Sequence, residues 1–199
     1  MFVMTVKRIA LIQGHPDPDE NRFCRVLAKA YLAGASSAGH QIEVIDIARL
    51  EFPILRTQAE FEAGPVSESI RRAQQLIEWA EHLVIIYPLW LGSMPAYLKA
   101  FFEQVFRPGF AADKSAEAKP WKKRLTGRSA RIVITMGMPA FIYRFYYLAH
   151  SLKSLERNIL GFCGITPVKE TLIGMVEAID NKKRRQWLER LEKLGHAGN

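Results

Sequence analysis

Five consecutive residues, Leu83-Val84-Ile85-Ile86-Tyr87, carry no polar break, and Pro88 stops the run. Five residues are too few for a buried helix, and a strand that is apolar on every side chain needs cover on both faces. That situation belongs to parallel sheets wrapped by helices. The other strand-like runs agree. Arg8 to Gln13 is a short apolar run ending in Gly14, and Ile42 to Ile47 alternates and is rich in β-branched residues. Ala130 to Thr135 and Val168 to Ile173 complete the set.

Helical periodicity fills the intervals. Asn21 to Ser37 places Phe23, Val26, Leu27, Ala30 and Tyr31 on one face, with Gly39 positioned to end it. Ser67 to Glu81 turns Ile70, Ala73, Leu76, Ile77 and Ala80 inward. Pro95 opens a helix that runs to about Phe106, since a missing N–H costs nothing in a first turn. Arg144 to Leu160 reads as helical, and Asn181 to Leu194 carries Trp187, Leu188, Leu191 and Leu194 as one stripe. Pro53–Pro65 and Arg107–Arg128 read as loops. Strands alternating with helices predict one parallel sheet with right-handed crossovers, and no linker or repeat divides residues 1–199, so one domain is expected.

Composition removes several function classes. Met1 to Val6 is too short for a signal peptide, and no apolar stretch approaches the ~20 residues of a membrane span, so a cytoplasmic protein that is not integral to a membrane is expected. The net charge of +8 invites a nucleic-acid reading. Its basic residues concentrate in Lys119–Arg131 and Lys182–Arg185 without interleaved aromatics or a recognisable nucleic-acid motif, so no nucleic-acid partner is expected. Cys24 and Cys163 match no metal-ligand spacing and read as small buried hydrophobes, with no metal site implied.

Ligands of open α/β sheets bind at the carboxyl ends of the strands, which selects three loops. Gly14 to Asn21 leads into a helix N-terminus suited to a phosphate, and His15 is either a phosphate contact or a turn histidine. The acidic residues Asp17, Asp19 and Glu20 of that loop are expected to face water. Pro88 to Pro95 is stiffened by its prolines, and Trp90 is either a flat binding wall or core. Thr135 to Tyr143 exposes amide donors where negative charge can develop. Tyr143 and His150 then lie at the start of a helix and about two turns along it, with proton transfer as one role and aromatic packing as the other.

At these loops the sequence resembles the NAD(P)H:quinone oxidoreductase family, the flavodoxin-like branch that includes quinone reductases and potassium-efflux ancillary proteins. The longest match is Pro88-Leu89-Trp90-Leu91-Gly92-Ser93-Met94-Pro95-Ala96-Tyr97-Leu98-Lys99-Ala100-Phe101-Phe102-Glu103-Gln104-Val105-Phe106. Gly14-His15-Pro16 with Arg22-Phe23-Cys24, Thr135-Met136-Gly137 with Tyr143, and Gly161-Phe162-Cys163-Gly164 also match. The resemblance implies a three-layer sandwich with a five-stranded parallel sheet in the order 2-1-3-4-5.

It also implies a non-covalent flavin, FAD or FMN, with NAD(P)H as co-substrate and a quinone as acceptor in a ping-pong cycle at a homodimer interface. Under it His15, Arg22, Phe23 and Cys24 hold the phosphate–ribityl end. Pro88, Leu89, Trp90, Leu91 and Gly92 carry the ring, and Thr135, Met136, Gly137 and Met138 bond its pyrimidine side. Tyr143 and His150 assist hydride transfer. Arg22 and Cys24 stand where many members have Ser and Asn, Met136 and Met138 replace Thr and Gly, and His150 is displaced by one position. A regulatory subunit of a potassium-efflux channel and an azo- or nitroreductase are the alternatives on the same scaffold.

Overall fold

In the computed structural model, which describes residues 5–113 and 121–199, the apolar run lies at the centre of a parallel sheet. Its strand, β3 (His82–Pro88), is buried at every position. β1 (Arg8–Gln13) and β2 (Gln41–Asp46) extend the sheet on one side. A two-residue pair, β4 (Ala112–Asp113) with β5 (Lys122–Lys123), stands apart from it. β6 (Ser129–Thr135) and β7 (Val168–Ile173) extend the main sheet on the other side. The order β2-β1-β3-β6-β7 is the expected 2-1-3-4-5 once the small pair is set aside.

Side-chain alternation splits the core into two layers. On one face Ile9, Leu11, Val84, Ile86, Val133 and Ile173 pack under α1 (Phe23–Ser37) and α7 (Asn181–His196). The two helices approach closely because glycine faces backbone at both contacts. A Cβ on Gly34 would lie 1.9 Å from the Glu192 carbonyl oxygen, and one on Gly195 would lie 2.1 Å from that of Tyr31. On the opposite face Ala10, Ile12, Leu83, Ile85, Ile132 and Ile134 meet α3 (Glu68–Trp79), α4 (Ala96–Val105) and the chain from 142 to 163.

Four local expectations need correction. The buried face of α1 keeps Leu27 and Tyr31 of the expected stripe and adds Cys24, Ala28 and Ala35, while Phe23, Val26 and Ala30 are half-buried at its edge. Arg25 is buried as well, with its guanidinium clasping Asp46 at 2.8 and 2.9 Å. Residues 53–65 contain a helix, α2 (Gln58–Ala63), capped by Thr57 Oγ1 accepting from the Glu60 amide while Glu60 accepts from the Arg56 amide. The Arg107 guanidinium holds this segment through the carbonyls of Glu60, Phe61, Gly64 and Pro65. The 107–128 stretch contains β4 and β5, and Lys119 of its basic cluster lies outside the described residues.

The 144–160 helix is broken. Wide helical turns at Ile142–Tyr146 and Ser154–Leu160 flank α5 (His150–Lys153), and α6 (Gly161–Cys163) follows. Leu148 and Ala149 sit at φ 52° and 48°, in the left-handed region. Among the described residues, no helix is long and apolar enough to cross a membrane. Both cysteines are buried and unbridged, and burial pushes each thiol up to about 12.

Candidate active site

The three loops meet beyond the carboxyl edge of the sheet and are bonded to one another. Gln13, the last residue of β1, donates to the Cys24 carbonyl and accepts from the His15 amide, which ties loop one to the first turn of α1. Cys24 Sγ lies 3.1 Å from Thr135 Oγ1, so the start of α1 is joined to the end of β6. The Thr135 carbonyl accepts from the Leu89 amide at 2.7 Å, joining the second and third loops. Gly14 allows this convergence, since a Cβ there would stand 2.8 Å from Leu98 Cδ2 and 2.9 Å from Tyr87 Cβ.

In loop one His15 is buried, and its Nδ1 accepts from the Asp17 amide, which leaves the proton on Nε2. Desolvation lowers its pKa, opposed mainly by the nearby Asp17, so the ring works as a neutral donor. The amides of Phe23 and Cys24, in the first turn of α1, have no protein acceptor among the described residues. Arg22, at the cap position, lies against Asp17 at 2.5 Å and Asp19 at 3.8 Å. The Asp19 amide bonded to Asp17 and the Arg22 side chain hold the Asp17 carboxyl below its usual range. The acidic residues of this loop are therefore paired with cations rather than turned into the site: Glu20 meets Lys29 and Arg49.

Loop two is a tight turn. Trp90 and Ser93 exchange amide bonds at 2.8 and 3.0 Å, with Leu91 and Gly92 at φ 47° and 77° between them. The turn lifts Trp90 to 48 % exposure, so its ring is not part of the core, and leaves Leu91 fully exposed. Its ring meets His15 edge-on at 5.8 Å.

Loop three is buttressed from behind. The Met136 amide donates to the Ile173 carbonyl, and the Met175 and Val176 amides donate to the Met138 and Met136 carbonyls. The amides of Gly137 and Met138 meet no protein acceptor among the described residues. The Met136 side chain is buried in the core, so only its backbone belongs to the site.

A cavity of about 380 Å³ opens between loops two and three, lined by Leu91, Gly92, Met138, Tyr143, Tyr147 and His150. Tyr143 is buried, and its hydroxyl bonds Ser151 Oγ at 2.7 Å and accepts from the Leu152 amide at 3.0 Å. His150 stands at the exposed rim. Phe23, one of the expected residues, has its ring under the Arg184 guanidinium at 5.0 Å. Gln13 and Ser151 were not expected, since their contacts exist only after folding, and Tyr147, four residues from Tyr143 in the aromatic run from 141 to 147, joins it at the cavity.

Unpaired amides beside a flat apolar wall, with a neutral histidine donor and an open helix start nearby, suit a planar heterocycle with a phosphate tail. Residues 7–194 match a family model described as a flavodoxin-like fold. The chain belongs to that family. Among relatives it is 27% identical over 183 residues to an uncharacterised NAD(P)H oxidoreductase of Haemophilus influenzae, covering 90% of this chain and 89% of the other. It is 37% identical over 76 residues to the glutathione-regulated potassium-efflux system ancillary protein KefG of Escherichia coli, covering 38% of each. The solved NAD(P)H:quinone oxidoreductase of Methanothermobacter marburgensis superposes with a TM-score of 0.79 at 27% identity, covering 96% of both chains.

Proposed function

We propose that this family member is a cytoplasmic flavin-dependent NAD(P)H oxidoreductase that delivers two electrons to quinones. The observation that carries the reading is the pair of unpaired amides, Gly137 and Met138, beside a cavity walled by Leu91, Tyr143 and Tyr147. The relatives with NAD(P)H oxidoreductase and quinone oxidoreductase names support it. The residues present fit a flavin, which when bound supplies the hydride-accepting and electron-donating chemistry.

The chain's own groups bind, orient and stabilise. The Gly137 and Met138 amides would hold a flavin by donating hydrogen bonds to it and would stabilise its reduced, negatively charged form, each such donor being worth about 3 kcal/mol in a preorganised site. Trp90 and the Leu91–Gly92 turn supply a rigid wall. The Nε2–H of His15, the first-turn amides of α1 and the Arg22 guanidinium hold the phosphate, with Arg22 exchanging Asp17 for it. Tyr143, fixed by Ser151 and the Leu152 amide, presents its ring to the cavity and its hydroxyl to the same charge. His150 works at the rim, where solvent protons enter.

One cavity serves both substrates, so they occupy it in turn. Initial rates measured at several quinone concentrations are expected to give parallel double-reciprocal lines against NAD(P)H. Converging lines would show both substrates bound together and would overturn the shared cavity. The rim also exposes Phe141, Phe145, Tyr146, Tyr147 and Leu148 side by side, and this apolar surface supports a homodimer in which a second copy completes the cavity. The match to KefG supports a second reading, docking to a potassium-efflux channel. Retention of the protein by the channel's cytoplasmic domain, without quinone turnover, would favour it.

A further inference from the structure

The opposite end of the sheet holds a second cluster of polar side chains, each with one buried atom left unpartnered among the described residues. His82 begins β3 and Ser129 begins β6, and the two are paired in register. Arg131 follows two residues later on the same face of β6, under α1 and α7. Tyr31 of α1 packs onto that face from above. His82, Arg131 and Tyr31 are 3 %, 7 % and 0 % exposed. One buried polar atom of each, His82 Nε2, Arg131 Nε and the Tyr31 hydroxyl, has no hydrogen-bond partner among the described residues. Arg131 acts on each of the other two, pulling the pKa of Tyr31 and of His82 down, although burial is the larger cause in both.

The charged neighbours that act on His82 are all basic, and Arg131 is acted on by Arg190 and, in the opposite sense, by Glu170. Arg131 spends one N–H on Thr171 Oγ1 at 2.9 Å and forms no salt bridge among the described residues. Lys7 Nζ binds the Gly198 carbonyl, and Lys169 Nζ lies 3.4 Å from Asn199 Oδ1. Both partners are neutral. Glu170, the acidic residue that acts on Arg131, is engaged by Arg144 at 2.9 Å, and Glu81 is engaged by Arg8. His40 is already occupied by the Lys7 amide and the His196 carbonyl, which straps the 196–199 segment across this edge. A buried guanidinium without a counter-charge is costly, and a polar donor buried without an acceptor adds to the cost. Water would satisfy the hydroxyl and the ring but leave the charge uncompensated.

We infer that Arg131 Nε, His82 Nε2 and the Tyr31 hydroxyl bind a small inorganic anion, of the halide class, at the amino edge of the sheet. An anion here selects the tautomer in which the Ser129 hydroxyl, 2.8 Å from His82 Nδ1, donates to that nitrogen, so that Nε2 carries the proton and all three groups are donors. The site is structural and lies at the far end of the strands from the cavity, so it stands whether or not that cavity holds a flavin.

Crystals of the full chain soaked in sodium bromide test this directly. The expected result is an anomalous peak within hydrogen-bonding reach of Arg131 and His82. Ordered waters there, or a carboxylate of the chain itself, would overturn the inference. In solution, the melting temperature in sodium chloride is expected to exceed that in sodium gluconate at equal ionic strength. Arg131→Met should abolish the difference and His82→Gln should reduce it. Equal melting of the unaltered protein in the two salts would overturn the inference, and the crystal test stands even where Arg131→Met fails to fold.

Discussion

Tyr143 is held from two sides, by Ser151 Oγ and by the amide of Leu152, and it lines the cavity with its ring. Tyr143→Phe therefore removes a hydroxyl that serves the fold as well as the chemistry. It leaves the Leu152 amide unpaired, at about 1–3 kcal/mol. The variant is expected to keep flavin, melt lower, and reduce flavin by NAD(P)H on the order of tenfold more slowly, about 1.4 kcal/mol in the barrier. Stopped-flow traces separate the effects, because Ser151→Ala should lower the melting temperature with a smaller change in rate. An unchanged rate in Tyr143→Phe would remove the hydroxyl from the chemistry. His82 governs a different observable. Burial, reinforced by Lys7, Arg131, Lys169 and His40, lowers its pKa from 6.5 to about 3. Between those values the unfolded chain binds a proton that the folded chain refuses, so stability falls as pH drops from about 6.5 toward 3. One such proton changes stability by about 1.4 kcal/mol per pH unit. In buffer free of small anions, His82→Gln should flatten this limb in denaturant titrations repeated across pH.

At the scale of elements, what could be read in advance followed from period and punctuation. The strands were legible because apolar runs stop at Gly14 and Pro88, and the loops that carry the site follow from where those strands end. The break in the 142–163 helix was not legible. Leu148 and Ala149 have ordinary helical preferences, and their left-handed backbone goes with a bond from the Ala149 amide to the Tyr143 carbonyl that no residue preference marks in advance. α2 was missed for a related reason, since its Thr57–Glu60 cap is a visible signal but Arg107, 47 residues from Glu60, secures the segment. The α1–α7 contact shows how a sequence hides an essential residue, because nothing in a helical run marks Gly34 as facing backbone. Gly34→Ala forces the helices apart at the Glu192 carbonyl and is expected to cost about 1–3 kcal/mol, measured by chemical denaturation. An unaltered midpoint would show that the two helices slide freely.

Over the whole molecule, one sheet gives two chemically different ends. Its carboxyl edge gathers unpaired amides, a neutral histidine and an exposed tryptophan, while its amino edge gathers buried donors under positive charge. The first was legible through the rule that ligands sit at carboxyl ends. The second was not, because His82, Arg131 and Tyr31 come from three separate elements and mean nothing until they meet. The exposed aromatic rim predicts a particle of twice the 22.7 kDa chain mass in light scattering, and Phe145→Glu with Tyr146→Glu should return it to a single chain. The most direct test of the account is a fluorescence titration of the purified, flavin-stripped protein with FMN and with FAD. One flavin per chain should bind with quenching of Trp90, and Gly14→Val, which pushes loop one off Leu98 and Tyr87, should abolish that binding. A folded protein that neither carries nor takes up either flavin would contradict it.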